Sequence, residues 1–137
     1  MLQMLRGAGL MNVLPMLPVD HCERGGTTSL VPCTSGSHTA IIRAESWTNL
    51  PKHEPTLFGI SPSEISLALR PVEGISLQNQ LSGKVMYLVE TKERSLCLVD
   101  VGCPLMVEVT AQAVRELALE PGSDIWCLFK ACGVRRF

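Results

Sequence analysis

Two short stretches of this chain carry residues whose types suit chemistry: Ser76-Leu77-Gln78-Asn79, which opens a run of short strand patterns, and Lys130, the one charge inside the apolar segment from Trp126 to Ala131. Hydroxyl and amide groups supply neutral donors, and the ammonium adds a single positive charge. Brought together by a small barrel, such a set suits a small oxyanion, whose several acceptor oxygens call for convergent donors rather than massed charge. Each residue also has an ordinary reading. Ser76 and Asn79 fit a turn in which side chains bond their own backbone, and a lysine at a strand end is most often solvated. Thr110 fits a helix cap better than a ligand.

The elements that must position these residues read as β structure. In the second half, 84–89 and 95–101 are strand patterns around a charged hairpin tip at 91–94, Gly102 marks a turn or bulge, and 105–109 is a third strand. Thr110 is placed to cap a short helix over 111–118, Pro121-Gly122 ends it, and a last strand runs over 125–132. In the first half, turns at Gly25-Gly26 and Ser35-Gly36 separate strand candidates at 27–31 and 39–44, a loop covers 49–55, and 57–60 is again a strand. Ile65, Leu67 and Leu69 alternate with polar or small neighbours, the period of a half-buried strand over 63–69.

Short strands with one intervening helix predict a mainly β fold, OB-like Greek-key barrels in two half-size copies. The expected division is a linker or disordered start at 1–11, a first sub-barrel at 12–72 and a second at 74–137, separated by Pro71-Val72-Glu73-Gly74. The final strand is apolar on both faces, with Trp126 and Leu128 opposite Ile125, Cys127 and Phe129, which predicts a second covering layer from a neighbouring half-barrel or another copy of the chain.

Composition excludes several classes. With 46% hydrophobic and 18% charged residues over 137 positions, the chain is a folded globular protein. Its net charge of −1 offers no excess of Lys and Arg to neutralise a phosphate backbone, and 4% aromatic residues is poor provision for base stacking, so nucleic acid is not an expected partner. Six cysteines form no Cys-x-x-Cys pair, so reduced, buried thiols are expected. His21, His38 and His53 near Cys22 and Cys33 match no metal spacing, and no metal site is expected. Arg6, Gly7, Gly9, Pro15 and Pro18 interrupt the apolar first 19 residues, which excludes a membrane span there and leaves no signal-peptide pattern. No nucleophile elbow or paired carboxylates appear, and Gly83-Lys84 is followed by Val85 without the earlier glycine of a phosphate-binding loop, so neither an enzyme nor ATP hydrolysis by this chain is expected.

From Gly74 onward the sequence resembles the molybdate-binding mop domain, a transport-associated OB (TOBE) domain, found in molbindins and at the C-terminus of the ATPase subunit of bacterial molybdate importers. Ser76-Leu-Gln-Asn79 is similar to the family's Ser-Ala-Arg-Asn or Ser-Ile-Arg-Asn opening, and Val99-Asp-Val-Gly102, Ala113-Val-Arg-Glu-Leu117, Leu119-Glu-Pro-Gly122 and Phe129-Lys-Ala131 follow in order. Upstream, Val19 to Gly25 and Ile60 to Leu69 resemble the segment that joins the nucleotide-binding domain to the mop domain in the importer ATPases. The resemblance implies an oxyanion site at Ser76, Leu77, Gln78 and Asn79, completed by Lys130 and the amide of Ala131 across a subunit or half-barrel interface. It implies molybdate or tungstate as ligand and no organic cofactor. Gln78 stands where the family usually has Arg, so one charge is missing, although an amide still donates. The main expectation is a cytoplasmic regulatory domain of an importer ATPase, at the inner-membrane face when assembled. It would be a homo-oligomer, a dimer first, with an ATPase domain and a membrane permease as partners. The alternatives are a free-standing molbindin-type storage protein and, of another class, an OB-type nucleic-acid module.

Overall fold

The computed structural model of the chain describes residues 2–6, 9–19, 27–33, 39–45, 50–92 and 94–137. The turns expected at Gly25-Gly26 and Ser35-Gly36, together with His21, Cys22 and His38, lie outside them. In the first half the strands are β1 (Leu2–Arg6), β2 (Gly9–Pro18), β3 (Thr27–Pro32), β4 (Ile42–Glu45), β5 (Thr56–Ile60) and, after a 3-10 turn at Pro62–Glu64, β6 (Ser66–Ala68). The second half repeats the plan: β7 (Asn79–Glu90), β8 (Ser95–Asp100), β9 (Pro104–Val109), the helix α1 (Ala111–Glu116), β10 (Asp124–Phe129), a 3-10 turn at Ala131–Gly133 and β11 (Val134–Arg136). Among the described residues the fold is mainly β, with two curled sheets and one short helix, as the patterning predicts.

Local chemistry accounts for the second half. Along β8 and β9 buried and part-exposed residues alternate, with Cys97 and Val99 facing Leu105 and Val107 across the inner layer. A bulge between Val85 and Tyr87 lets the long strand β7 bend. At Gly83 a Cβ would lie 2.4 Å from the Asp100 carbonyl oxygen, so only glycine lets β7 approach β8 this closely. Thr110 caps α1, its hydroxyl accepting from the Ala113 N–H at 3.0 Å, and Ala118 turns the chain out of the helix at φ 50°.

Sheet order is where the two halves lock. One sheet runs β11-β5-β2-β3-β4, with β1 added beside β2, and the other runs β6-β10-β7-β8-β9. Each half therefore gives its last strand to the other: β6 pairs with β10, and β11 pairs with β5. The segment 71–74 lies between β6 and β7, and the sheets cross that point of the chain twice. A single apolar core reflects the exchange, since Leu14, Met16, Phe58 and Ile60 of one sheet belong to the same buried cluster as Val85, Leu105, Ile125 and Phe129 of the other.

Three expectations need correction. Residues 1–11, read as a linker or disordered start, include β1 and the beginning of β2, which pair antiparallel. Pro15 is accommodated in β2 because it lies just past the end of the β2–β3 ladder, where its carbonyl still accepts from the Cys33 N–H at 2.9 Å and only its missing N–H is without a role. The alternation over 63–69 is only partly strand: Pro62 nucleates a 3-10 turn, β6 spans three residues, and Leu69 is exposed. Likewise the last strand stops at Phe129, and the chain turns through Ala131–Gly133 before crossing as β11.

Among the described residues five cysteines are free thiols: Cys97, Cys103 and Cys127 are buried, whereas Cys33 and Cys132 are exposed. Burial pushes the Cys97 and Cys103 thiols from 9.0 up to about 11, and Cys127, buried beside those two, is raised further. Because folding favours the protonated form, this contribution is complete below pH 9 and is lost as the pH climbs from there towards 11. Iodoacetamide at neutral pH should label Cys33 and Cys132 in the native protein, and Cys97, Cys103 and Cys127 only after denaturation, as read by peptide mass spectrometry. Fragments 1–73 and 74–137, made separately, should each fail to sediment as a folded monomer and should recover native near-ultraviolet dichroism when mixed. Two independently folded monomers would show that the strand exchange is dispensable.

Candidate functional site

The Ser76 segment and the Lys130 turn meet in one open cleft of about 310 Å³. Ser76, Gln78, Lys130 and Ala131 all line it. Ser76, Gln78 and Lys130 are exposed, and Ala131 is buried at the base of its turn. The opposite wall comes from the first half, where Thr27 and Glu45 are paired across β3 and β4. Cys132 completes the rim. Two of the six predicted residues are placed differently. Leu77 is half-buried outside the cleft lining. Asn79 is 2% exposed, and its amide is engaged with backbone: Oδ1 accepts from the Arg43 N–H at 2.7 Å and Nδ2 donates to the Arg43 carbonyl at 2.8 Å.

Each wall has an evident support. Gln80 holds the incoming segment down: its Oε1 accepts from the Val72 N–H at 2.8 Å, and its Nε2 donates to the carbonyls of Val72 at 2.8 Å and Leu77 at 3.3 Å. Lys130 immediately precedes the 3-10 turn, which closes through the Gly133 N–H on the Lys130 carbonyl at 3.0 Å, so the side chain projects from a fixed backbone point. That turn packs against β4, which carries Glu45. Gly133 leaves the room needed by the Glu64 carboxylate, which lies 2.8 Å from where a Cβ would stand and is held by Arg135 at 2.9 Å.

Electrostatically the cleft is mixed, since both Lys130 and Glu45 line it. Lys130 makes none of the salt bridges found among the described residues. Its charge is therefore available to a guest, while Glu45 opposes a second negative charge. Hydroxyl, amide, ammonium and the amide of Ala131 form a donor set for an oxyanion rather than a nucleophile–base constellation. Among the described residues no group of three or more His, Cys, Asp or Glu could hold a metal ion. Sequence reasoning missed Thr27, Glu45 and Cys132, because only the strand exchange carries the Lys130 turn to the first sheet. It missed Gln80 for lack of a local signal, since its partner Val72 lies eight residues away.

Two sheets that exchange their last strands, with a donor-lined cleft drawn from both, define a pair of interlocked OB-like half-barrels. Residues 75–135 match the TOBE domain family. Among solved structures the fold is similar to that of the cytoplasmic molybdate-binding protein ModG in a crystal form with molybdate bound. The likeness has a TM-score of 0.67 at 18% sequence identity, covering 90% of this chain and 92% of that one. No match was found among curated proteins. Among the described residues no helix is long and apolar enough to cross a membrane.

The Asn79 clamp has a twin. Asn12 of β2, fully buried, donates to the Met106 carbonyl at 2.9 Å and accepts from the Met106 N–H at 2.8 Å. Asn12→Ala and Asn79→Ala should each destabilise the protein by about 1–3 kcal/mol, because a backbone donor and acceptor lose their partner together. Urea titration measures this. A ligand role for Asn79 alone would instead leave its variant as stable as the parent.

Proposed function

We propose that the chain binds a tetrahedral oxyanion of the molybdate type in the cleft between the Ser76 segment and the Lys130 turn. The observation that carries this reading is the convergence of Ser76, Gln78, Lys130 and Ala131 on one cleft within a segment that matches the TOBE family. The likeness to ModG, crystallised with molybdate, supports it. Lys130 supplies the charge, Ser76 and Gln78 the directed neutral donors, and the Ala131 amide a further N–H. Asn79 serves by fixing the wall rather than by touching the guest. Molybdate and tungstate present the same tetrahedron of acceptors, and both are taken as ligands.

The role that fits best is that of a free-standing cytoplasmic binding protein for storage or homeostasis, acting without catalysis. It is favoured over the regulatory part of an importer ATPase because the similarity to ModG spans both half-barrels, 90% of this chain, and not the mop-like segment alone. Homo-oligomerisation goes with this role: Met86, Tyr87 and Val89 of β7 are 44%, 61% and 50% exposed, leaving apolar surface for another copy.

Calorimetric titration with molybdate, tungstate and sulfate tests the proposal. Molybdate and tungstate should bind and sulfate should bind more weakly. Lys130→Ala should lose about 10- to 100-fold in affinity, the effect of removing one charge-assisted hydrogen bond of roughly 1.5–3 kcal/mol. Glu45→Gln should gain affinity several-fold. No heat and no thermal stabilisation at millimolar molybdate or tungstate would refute the reading, since 100-fold saturation stabilises by about 2.7 kcal/mol.

A further inference from the structure

The two halves are related by an internal duplication that the strand registers make residue-specific. Asn12 pairs with Ile60 across β2 and β5 as Asn79 pairs with Phe129 across β7 and β10, and the two asparagines clamp Met106 and Arg43 in the same bidentate way. Ile60 thus corresponds to Phe129, and the turn that follows it to the Lys130 turn. Glu45, paired with Thr27, corresponds to Glu108, paired with Leu96. The duplication therefore generates a second cleft, and one is present: about 230 Å³, lined by Leu10, Ser61, Pro62, Ser63, Leu96 and the ion pair of Arg94 with Glu108.

The residues at corresponding positions divide cleanly. The clamping asparagine, the carboxylate and the leucine before the clamp are kept in both halves: Asn12 and Asn79, Glu108 and Glu45, Leu10 and Leu77. At the matching positions the ammonium, the amide side chain and the Ser76 hydroxyl of the first cleft are replaced, and Ser61 alone keeps a side-chain donor. Gly9 stands for Ser76, Met11 for Gln78, Ser61 for Lys130, and Pro62, which has no N–H, for Ala131. What remains polar there is already engaged, with the Ser61 and Ser63 hydroxyls 3.0 Å apart and Arg94 bound to Glu108 at 3.3 Å. The backbone differs as well. Residues 9–11 are paired with β1, whereas 76–78 precede β7 as an unpaired approach.

From this we infer that the chain uses its duplicated fold unequally: it takes one oxyanion, at the Lys130 cleft, and the substitutions at Gly9, Met11, Ser61 and Pro62 have closed the twin cleft to anions. The inference rests on the oxyanion reading above and adds the stoichiometry and its determinants.

Equilibrium dialysis against molybdate, with molybdenum counted per chain by mass spectrometry, tests it on the full-length protein. The parent should hold one molybdenum per chain, and Lys130→Ala should reduce this to none at the same free concentration. The variant S61K/P62A, extended to G9S/M11Q/S61K/P62A, should raise the count towards two, with circular dichroism checking that it folds. A parent count of two, with one ion surviving Lys130→Ala and lost on Arg94→Ala, would overturn the inference while leaving oxyanion binding intact. A parent count of zero would instead overturn the oxyanion reading, and the inference with it. A folded four-site variant that still holds only one ion would overturn the assignment of those positions as determinants.

Discussion

Two buried amides hold the halves of this molecule in register. Asn12 and Asn79 each bond both backbone groups of one residue in the opposite sheet, Met106 and Arg43 respectively. A bidentate amide imitates one rung of a β ladder, so each asparagine continues the partner sheet where no strand reaches. Because neither residue has water to fall back on, the contact is satisfied only in one relative placement of the halves. The cleft depends on that placement, since its walls come from β3 and β4 on one side and from the Ser76 segment and Lys130 turn on the other.

The exchanged strands supply the rest of the constraint. Ile65 and Val134, just after the two 3-10 turns, are 3% and 1% exposed, so each crossing segment inserts an apolar residue into the shared core. A side chain of that size contributes about 1.5–3 kcal/mol on full burial. The same crossing sets the direction of Lys130, because the turn it precedes must lead the chain from β10 into the other sheet. Site and interlock are thus one piece of backbone.

Legibility in the sequence followed the range of the forces. Strands β7 to β10 and α1 were readable because alternation at Cys97, Val99, Leu105 and Val107 and the cap at Thr110 are local signals. β2 was obscured by Pro15, whose tolerance depends on which neighbour lies beside it, a tertiary fact. Nothing in Ser66–Ala68 tells whether it pairs with its own half or with β10, so the exchange was invisible. At the site, the donor types at Ser76, Gln78 and Lys130 were evident. That Asn79 is spent on Arg43, and that Glu45 shares the cleft with Lys130, could be seen only once the two sheets were interlocked.

The route of the chain through the sheets has a further consequence for synthesis. β5 borders β2 on one side and waits for β11 on the other, so one edge of the first sheet has no partner until residues 134–136 have left the ribosome. An uncovered edge invites pairing with a second nascent chain. On a crowded polysome the same interlock that unites two halves could join the wrong two, giving intertwined dimers whose strands are correctly matched but drawn from different polypeptides.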